Sequence, residues 1–270
     1  MTNKKIGIIG CGNMGEALIR GMLAEKLAAP GDILISDKSN EREDCIKSKF
    51  NVNAADSGRA LVINSDVIIL AVKPRDIGQL LQGLADMFKP GQLMVSIVAG
   101  ITTVNIQRLI NAKLNLVRVM PNSPALINQA ISAVYYGPGI KEADKAIVGS
   151  IFNCLGEVVE VEESLMDGVT AISGSGPAYF FLLIKYLIAM GIKFGLTEKI
   201  AARLALQTAL GSARMALEVE EDIDVLIKKV TSKGGTTEAA LKVFEEMKIK
   251  EIYSKAVEAA RSRAGELFGG

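Results

Sequence analysis

The segment KIGIIGCGNMGEALIRGML, residues 5–23, constrains the fold more than any other part of the chain. A short β-branched run leads into three glycines with the GxGxxG spacing, and an amphipathic stretch follows them. In this setting the first glycine permits a tight turn and the second lets the backbone approach a pyrophosphate. A purely structural turn is the alternative. The sequence predicts that a dinucleotide contacts Gly10, Gly12, Asn13, Met14 and Gly15.

The first 160 or so residues alternate short apolar runs with helical patterns. The strand candidates are KIGIIG, DILIS, SDVIILAV, QLMVSIVAG, NLVRVM, ISAVYY and EVVEV, and the helix candidates lie at about 13–26, 76–87, 103–110 and 142–154. Such alternation indicates βαβ units and a largely parallel sheet. The last strands are expected as antiparallel additions.

After residue 162 the pattern is helical throughout. Helices are predicted at about 164–171, 176–194, 197–219, 222–230, 236–247 and 249–267. The stretch 197–219 is apolar or small around more of its circumference than a surface helix requires, so a partner subunit or a surrounding bundle must cover it. We therefore predict an α/β Rossmann-type domain over residues 1–162, followed by an all-α domain over residues 163–270.

Composition narrows the possible chemistry. The chain of 270 residues has 31 basic and 30 acidic residues without a dense basic cluster, so nucleic acid is not an expected partner. It has no histidine, which excludes Ser-His-Asp catalysis and histidine-bound metals. Its three cysteines are far apart, so we expect no metal site and a reducing cytoplasm. The longest apolar run, residues 178–192, contains Lys185 and is shorter than the roughly 20 residues of a membrane span, so no membrane partner is expected.

The end of the second predicted strand bears on the choice of dinucleotide. The sequence there is Ser36-Asp37-Lys38-Ser39, and Arg42 follows closely. An acidic residue at this point favours the ribose hydroxyls of NAD, whereas basic and hydroxyl residues favour the 2′-phosphate of NADP. Because both kinds are present, the sequence leaves NAD and NADP open.

Further candidate contacts follow the later strands, since doubly wound sheets bind ligands at the carboxyl ends of their strands. Lys73 suits a ribose or an amide, and Asn122 suits a nicotinamide carboxamide. Taken singly, each of these short motifs is more often a turn. The candidates are Ala71, Val72, Lys73, Pro74, Ala99 and Asn122.

Two loops of small residues precede helices in the second half. They are SGSGPAYFF at 173–181 and VTSKGGTTEAALKVF at 230–244. N–H groups at a helix start can converge on an anion, although an ordinary helix cap has the same composition.

Six motifs occur in one order along the chain: GCGNMG, AVKP, SIVAG, MPNSPAL, GSGPAY and VTSKGGTTEAAL. In this combination the sequence resembles the pyrroline-5-carboxylate reductase family, which performs the last step of proline synthesis. The resemblance implies hydride transfer from NADPH or NADH to 1-pyrroline-5-carboxylate. It also implies a helical domain that forms an intertwined homodimer, often within a larger ring.

The resemblance also implies a substrate site. The SxGGTT-like loop would hold the substrate carboxylate. We hypothesise that the N–H groups of Gly234, Gly235 and Thr236 bind this carboxylate, and that the hydroxyl of Thr237 orients the ring nitrogen as the catalytic residue. An iminium substrate arrives protonated, so a chain without histidine can reduce it. Two departures stand out, because the family usually has proline where Lys233 stands and often an acidic or amide residue where Lys229 stands. The implied substrate residues are Ser175, Glu220, Ser232, Gly234, Gly235, Thr236 and Thr237.

Two other functions are compatible with the layout. A 3-hydroxy-acid dehydrogenase would need a catalytic lysine, and Lys185 and Lys193 are available but lie in no motif of that kind. A non-catalytic NAD(P)-binding sensor would bind dinucleotide without turnover.

Overall fold

A computed structural model describes residues 4–268 of the chain. Its centre is an eight-stranded sheet with the order β3-β2-β1-β4-β5-β6-β7-β8. Strands β1 to β6 are parallel, β7 is antiparallel to β6, and β8 is parallel to β7. The Rossmann-type fold class and the antiparallel additions are thereby confirmed. The strands are β1 Ile6–Ile9, β2 Ile33–Ser36, β3 Asn53–Ala54, β4 Val67–Leu70, β5 Leu93–Ser96, β6 Asn115–Met120, β7 Ala130–Tyr136 and β8 Gly156–Glu160.

Seven helices accompany the sheet along the chain. They are α1 Asn13–Ala24, α2 Asn40–Phe50, α3 Gly58–Asn64, α4 Pro74–Leu84, α5 Thr103–Arg108, α6 Glu142–Asn153 and α7 Met166–Val169. The sequence did not predict α2, α3 or β3. Helix α2 buries only Ile46 and is otherwise mostly polar, so it lacks an apolar stripe, while β3 has only two residues. A π-helical turn, Thr170–Gly174, follows α7.

The sheet is buried on both faces. Alternate residues of a strand point to opposite faces, so Ile8 of β1 packs into one apolar cluster and its neighbour Ile9 into the other. The same division separates Ile69 from Ile68 in β4. Burial on both faces explains why the parallel strands read as continuous apolar runs in the sequence.

The chain forms two compact units, residues 1–175 with 260–270, and residues 176–259. The helices after the π-helical turn are α8 Gly176–Lys193, α9 Glu198–Val219, α10 Ile223–Lys229, α11 Thr236–Glu246 and α12 Ile249–Glu266. They begin and end close to the predicted positions. The proposed domain limits of 1–162 and 163–270 remain a prediction.

The helices of the second unit leave much apolar surface exposed. Phe180 and Phe181 of α8 are each 65% exposed, and Leu217 of α9 is 75% exposed. Helix α9 buries only Ala201 and Ala205, so the chain itself does not enclose it as the middle of a bundle. Contiguous apolar surface of this kind marks an interaction site.

One helical stretch within residues 4–268, Glu163–Lys193, is long and apolar enough to cross a membrane. It qualifies by length and composition alone, a test that core helices of water-soluble proteins also pass. Because only 6% of its most apolar window is buried, its surface in a single chain requires a covering partner of some kind.

A buried arginine connects the sheet to the start of this helical stretch. Arg118 of β6 is 4% exposed, and its guanidinium lies 3.8 Å from Glu163 and 3.5 Å from Asp167. Glu163 also accepts hydrogen bonds from the backbone N–H and the hydroxyl of Thr103, at 2.7 and 2.8 Å. The cluster therefore joins β6, the start of α5 and the region of α7.

Replacing Arg118 tests this connection. We expect Arg118→Met to lower the free energy of unfolding by about 2–3 kcal/mol, because it leaves the mostly buried carboxylate of Glu163 without its buried cationic partner. The control, Arg263→Met, breaks an exposed pair with Glu266 and should cost under about 1 kcal/mol. Urea unfolding at one protein concentration measures both, and equal losses would contradict the role given to Arg118.

Candidate functional site

A cavity of about 550 Å³ lies at the carboxyl ends of β1, β2 and β4. The strand order reverses between β1 and β4, which is where doubly wound sheets bind ligands. Of the predicted cofactor residues it gathers Gly10, Gly12, Ser36, Asp37, Lys38, Ala71, Val72 and Lys73. Six of the predicted cofactor residues do not line the cavity, namely Asn13, Met14, Gly15, Pro74, Ala99 and Asn122. It is also lined by residues that the sequence had not assigned to cofactor binding, namely Ile9, Gly58, Asp76, Gln79 and Leu80.

The glycine loop is shaped by two close approaches. Gly10 has a φ of +107°, and a Cβ there would lie 2.5 Å from the carbonyl oxygen of Ala71. A Cβ on Gly15 would collide with the carbonyl oxygen of Gly10. Neither site accepts a side chain, since α1 and β4 pack directly against the loop.

Gly12 differs from these two glycines. No heavy atom lies within 4 Å of the point where its Cβ would stand, and it is the residue before the first turn of α1. The open space lies at a helix N-terminus, where N–H groups and the helix dipole favour an anion. The residues present therefore fit the pyrophosphate of a dinucleotide.

Asp37 holds the glycine loop against the end of β2. Its Oδ2 accepts the Cys11 N–H at 2.6 Å, and its Oδ1 accepts the Ser39 N–H at 3.0 Å. Each carboxylate oxygen thus already accepts one backbone hydrogen bond. Asp37 has a structural role in the loop in addition to any contact with a ribose.

Arg42 is also committed to the loop. Its Nε donates to the carbonyl oxygen of Cys11 at 2.5 Å, and its Nη2 contacts the carboxylate of Glu16. Lys49 approaches the other oxygen of Glu16 at 2.7 Å. The hydrogen bond from Lys49, supported by Arg42, lowers the pKa of Glu16 below its usual range. Both cations thus stabilise the start of α1.

Cys11, inside the glycine loop, is a poor nucleophile. Burial, reinforced by the charges of Asp37 and Glu43, raises the pKa of the Cys11 thiol to about 12. Burial also raises the pKa of Cys154. Since the thiolate is the nucleophile, neither buried cysteine is suited to covalent catalysis near neutral pH.

Asn122 is fixed in the turn after β6. Its Oδ1 accepts the Ile131 N–H at 3.1 Å, so its amide oxygen binds the start of β7. Its amide nitrogen and the second lone pair of its oxygen remain to meet a carboxamide.

The predicted substrate loop lies in the second unit, before α11. Gly234 has a φ of +74° and donates its N–H to the carboxylate of Glu238 at 2.7 Å. Gly235 donates to the carbonyl oxygen of Ser232 at 3.0 Å, and Thr236 begins the helix. Thus two of the three N–H groups expected to bind a carboxylate already have partners, and one of these partners is itself a carboxylate, that of Glu238 in the first turn of α11.

Lys229 links the base of this loop to the turn that follows α9. Its Nζ lies 2.7 and 2.5 Å from the two carboxylate oxygens of Glu221. The adjacent Glu220 caps the C-terminus of α9 with a φ of +53° and is exposed. Lys229, which departs from the family pattern, therefore positions the turn that carries Glu220.

The remaining substrate candidates differ in exposure. Thr237 is half-buried in the first turn of α11, whereas Lys233 is exposed. Ser175 ends the first unit, where its N–H donates to the carbonyl oxygen of Thr170 at 2.8 Å. Among residues 4–268 no group of three or more cysteine, aspartate or glutamate side chains comes together in a way that could hold a metal ion.

The sheet order, the glycine loop and the cavity define a Rossmann-type dinucleotide-binding protein with an added helical unit. A family model described as "NADP oxidoreductase coenzyme F420-dependent" matches residues 5–100. A second, described as "Pyrroline-5-carboxylate reductase dimerisation", matches residues 163–267.

Relatives that match this chain over nearly its full length assign it to one family of dinucleotide-binding proteins. The chain is 39% identical to a pyrroline-5-carboxylate reductase of Pseudomonas aeruginosa, over 99% of this chain and 98% of that protein. The Escherichia coli protein of that name is 34% identical, over 98% of each chain. The chain belongs to the pyrroline-5-carboxylate reductase family.

Solved structures agree with this assignment. A pyrroline-5-carboxylate reductase from Coxiella burnetii superposes with a TM-score of 0.89 at 35% identity, covering 98% of this chain and 99% of that chain. A pyrroline carboxylate reductase from Plasmodium falciparum with NADP bound has the same TM-score at 31% identity, covering 99% of each chain.

Two glycine substitutions separate cofactor binding from folding. We expect Gly12→Ala to fold normally and to weaken NADPH binding at least about tenfold, because the methyl group fills the space open to the pyrophosphate. Gly15→Ala should instead lower the free energy of unfolding by about 1–3 kcal/mol, because its methyl group meets the Gly10 carbonyl. Calorimetric NADPH titration and urea unfolding distinguish the two. Normal NADPH affinity in a folded Gly12→Ala protein would contradict the proposed phosphate position.

Proposed function

We propose that the protein reduces 1-pyrroline-5-carboxylate to L-proline with NADPH or NADH, the last step of proline biosynthesis. The observation that carries this proposal is the similarity to proteins named pyrroline-5-carboxylate reductase over nearly the whole chain, including both compact units. The open space at Gly12 supports a dinucleotide in the first unit.

The dinucleotide supplies the hydride when it is bound. The chain's own residues hold and orient the reactants, which is the main contribution of a protein to such a reaction. The glycine loop holds the pyrophosphate, and the loop at 232–237 holds the substrate carboxylate. No group of the chain has to deliver a proton if the imine nitrogen arrives protonated, so the absence of histidine is compatible with the reaction.

The contact between Gly234 and Glu238 supports the carboxylate role of this loop. The Gly234 N–H already donates to a carboxylate oxygen, so its direction and accessibility suit an anion of that kind. A substrate carboxylate takes the place of Glu238 on this N–H group and adds the N–H of Thr236 at the start of α11. The proposed substrate contacts are completed by Thr237, Gly235, Ser232, Ser175 and Glu220. The hydroxyl of Thr237 orients the ring nitrogen.

The protein acts as a homodimer in this proposal. The match of residues 163–267 to a dimerisation model and the exposed apolar side chains of α8 and α9 support a second copy as the covering partner. Assembly of dimers into a ring, the absence of a membrane partner and a cytoplasmic location are parts of the same proposal. The free state of all three cysteines supports a reducing compartment.

Oxidation of NADPH in the presence of different substrates tests the proposed function. We expect turnover with 1-pyrroline-5-carboxylate and none with a 3-oxo acid of similar size. Turnover with the 3-oxo acid alone would favour a 3-hydroxy-acid dehydrogenase. If NADPH binds but is oxidised with neither substrate, the result would favour a non-catalytic sensor.

The role of Thr237 has its own test. Thr237→Ala should lower kcat/KM for the imine about 10–100-fold, because it removes a hydrogen bond to a charged group in the transition state. Thr237→Ser keeps the hydroxyl and should stay within a few-fold of the parent. If Thr237→Ala reduced the imine at the parent rate with unchanged saturation, Thr237 would have no part in catalysis.

A further inference from the structure

An ion pair joins two βα units beside the cofactor cavity. Lys38 follows β2, whereas Asp76 lies in the first turn of α4, yet their Nζ and Oδ2 atoms are 2.9 Å apart. Both residues line the cavity. The Lys38 side chain is 72% exposed and that of Asp76 33%, so the pair stands in contact with solvent and can separate at little cost.

The other charged groups at the end of β2 are more firmly engaged. Arg42 donates to a backbone carbonyl and contacts Glu16, and Asp37 accepts two backbone N–H groups. Lys38 differs from Arg42, because among residues 4–268 its ammonium is held only by a partly exposed carboxylate from another βα unit. Lys38 is therefore the cation at the end of β2 that a new anion can attract most readily.

We propose that Asp76 sets the discrimination between NADPH and NADH by competing with the adenosine 2′-phosphate for Lys38. The proposal rests on the proposed function only for the class of cofactor. NADPH carries a phosphate group that attracts the ammonium and displaces Asp76, whereas NADH has a hydroxyl there and leaves the ion pair intact. The chain prefers NADPH, and Asp76 reduces the size of that preference.

The electrostatics of the pair support a persistent competition. The hydrogen bond from Lys38 lowers the pKa of the Asp76 carboxyl, so the carboxylate is charged throughout the neutral range. A bound 2′-phosphate adds a charge of about −1.5 to −2 near this carboxylate and is repelled by it. Removing the charge of Asp76 therefore acts twice in favour of the phosphate, by releasing Lys38 and by removing the repulsion.

Two adenosine fragments test the proposal on the full-length protein. Calorimetry with 2′,5′-ADP and with 5′-AMP compares ligands that differ at the 2′ position and involve neither imine nor hydride. For Asp76→Asn we expect the affinity for 2′,5′-ADP to rise about 3–10-fold and that for 5′-AMP to stay within about twofold. For Lys38→Met we expect the affinity for 2′,5′-ADP to fall about tenfold.

The double variant isolates the coupling between the two residues. If Asp76 acts through Lys38, most of the gain from Asp76→Asn should disappear when Lys38→Met is also present. Lys145→Met and Glu142→Gln remove the same charges from an ion pair on α6 that does not line the cavity, and should leave both affinities unchanged.

Three results would overturn the proposal. These are equal wild-type affinity for the two fragments, an Asp76→Asn gain that is the same for both, and an Asp76→Asn gain that is fully retained when Lys38→Met is also present. Failure of imine reduction would contradict the proposed function instead, and it would leave the fragment affinities as an independent result.

Discussion

The close approach of α1 to the end of β1 is the constraint on which the cofactor site depends. Gly15 lets the helix pack against the carbonyl of Gly10, and Gly10 in turn passes close to the carbonyl of Ala71 after β4. These two contacts bring the N-terminus of α1 to the point where the strand order reverses. Of the three loop glycines only Gly12 then faces open space, where the backbone is placed to bind an anion.

Charged side chains stabilise this loop and limit what each can do for a ligand. Asp37 accepts two backbone N–H groups, while Arg42 joins a loop carbonyl to Glu16 at the start of α1. The residues expected to choose between NAD and NADP are therefore partly structural. Lys38 is different, because it is itself exposed and its partner Asp76 comes from another βα unit.

The sequence predicted the parts of the fold that have strong patterns. Buried parallel strands appear as apolar runs, the glycine spacing marks the first βα turn, and the long C-terminal helices have clear boundaries. Helix α2 was missed because it is mostly polar, and β3 because it is too short to show a period. The meeting of Lys38 with Asp76 could not be predicted, because it depends on the packing of two βα units. The pairing of Gly234 with Glu238 was not predicted, because the composition of the loop fits a ligand site and a helix cap equally and does not show which N–H meets which side chain.

Transfer of an isotope label tests the central claim most directly. The protein is incubated with 1-pyrroline-5-carboxylate and NADPH that carries deuterium in the transferable position at C4 of the nicotinamide. The account predicts L-proline with one deuterium on the carbon that was the imine carbon, observed by NMR and mass spectrometry. Recovery of unlabelled substrate together with unoxidised, deuterated NADPH, from protein that binds the dinucleotide, would contradict it.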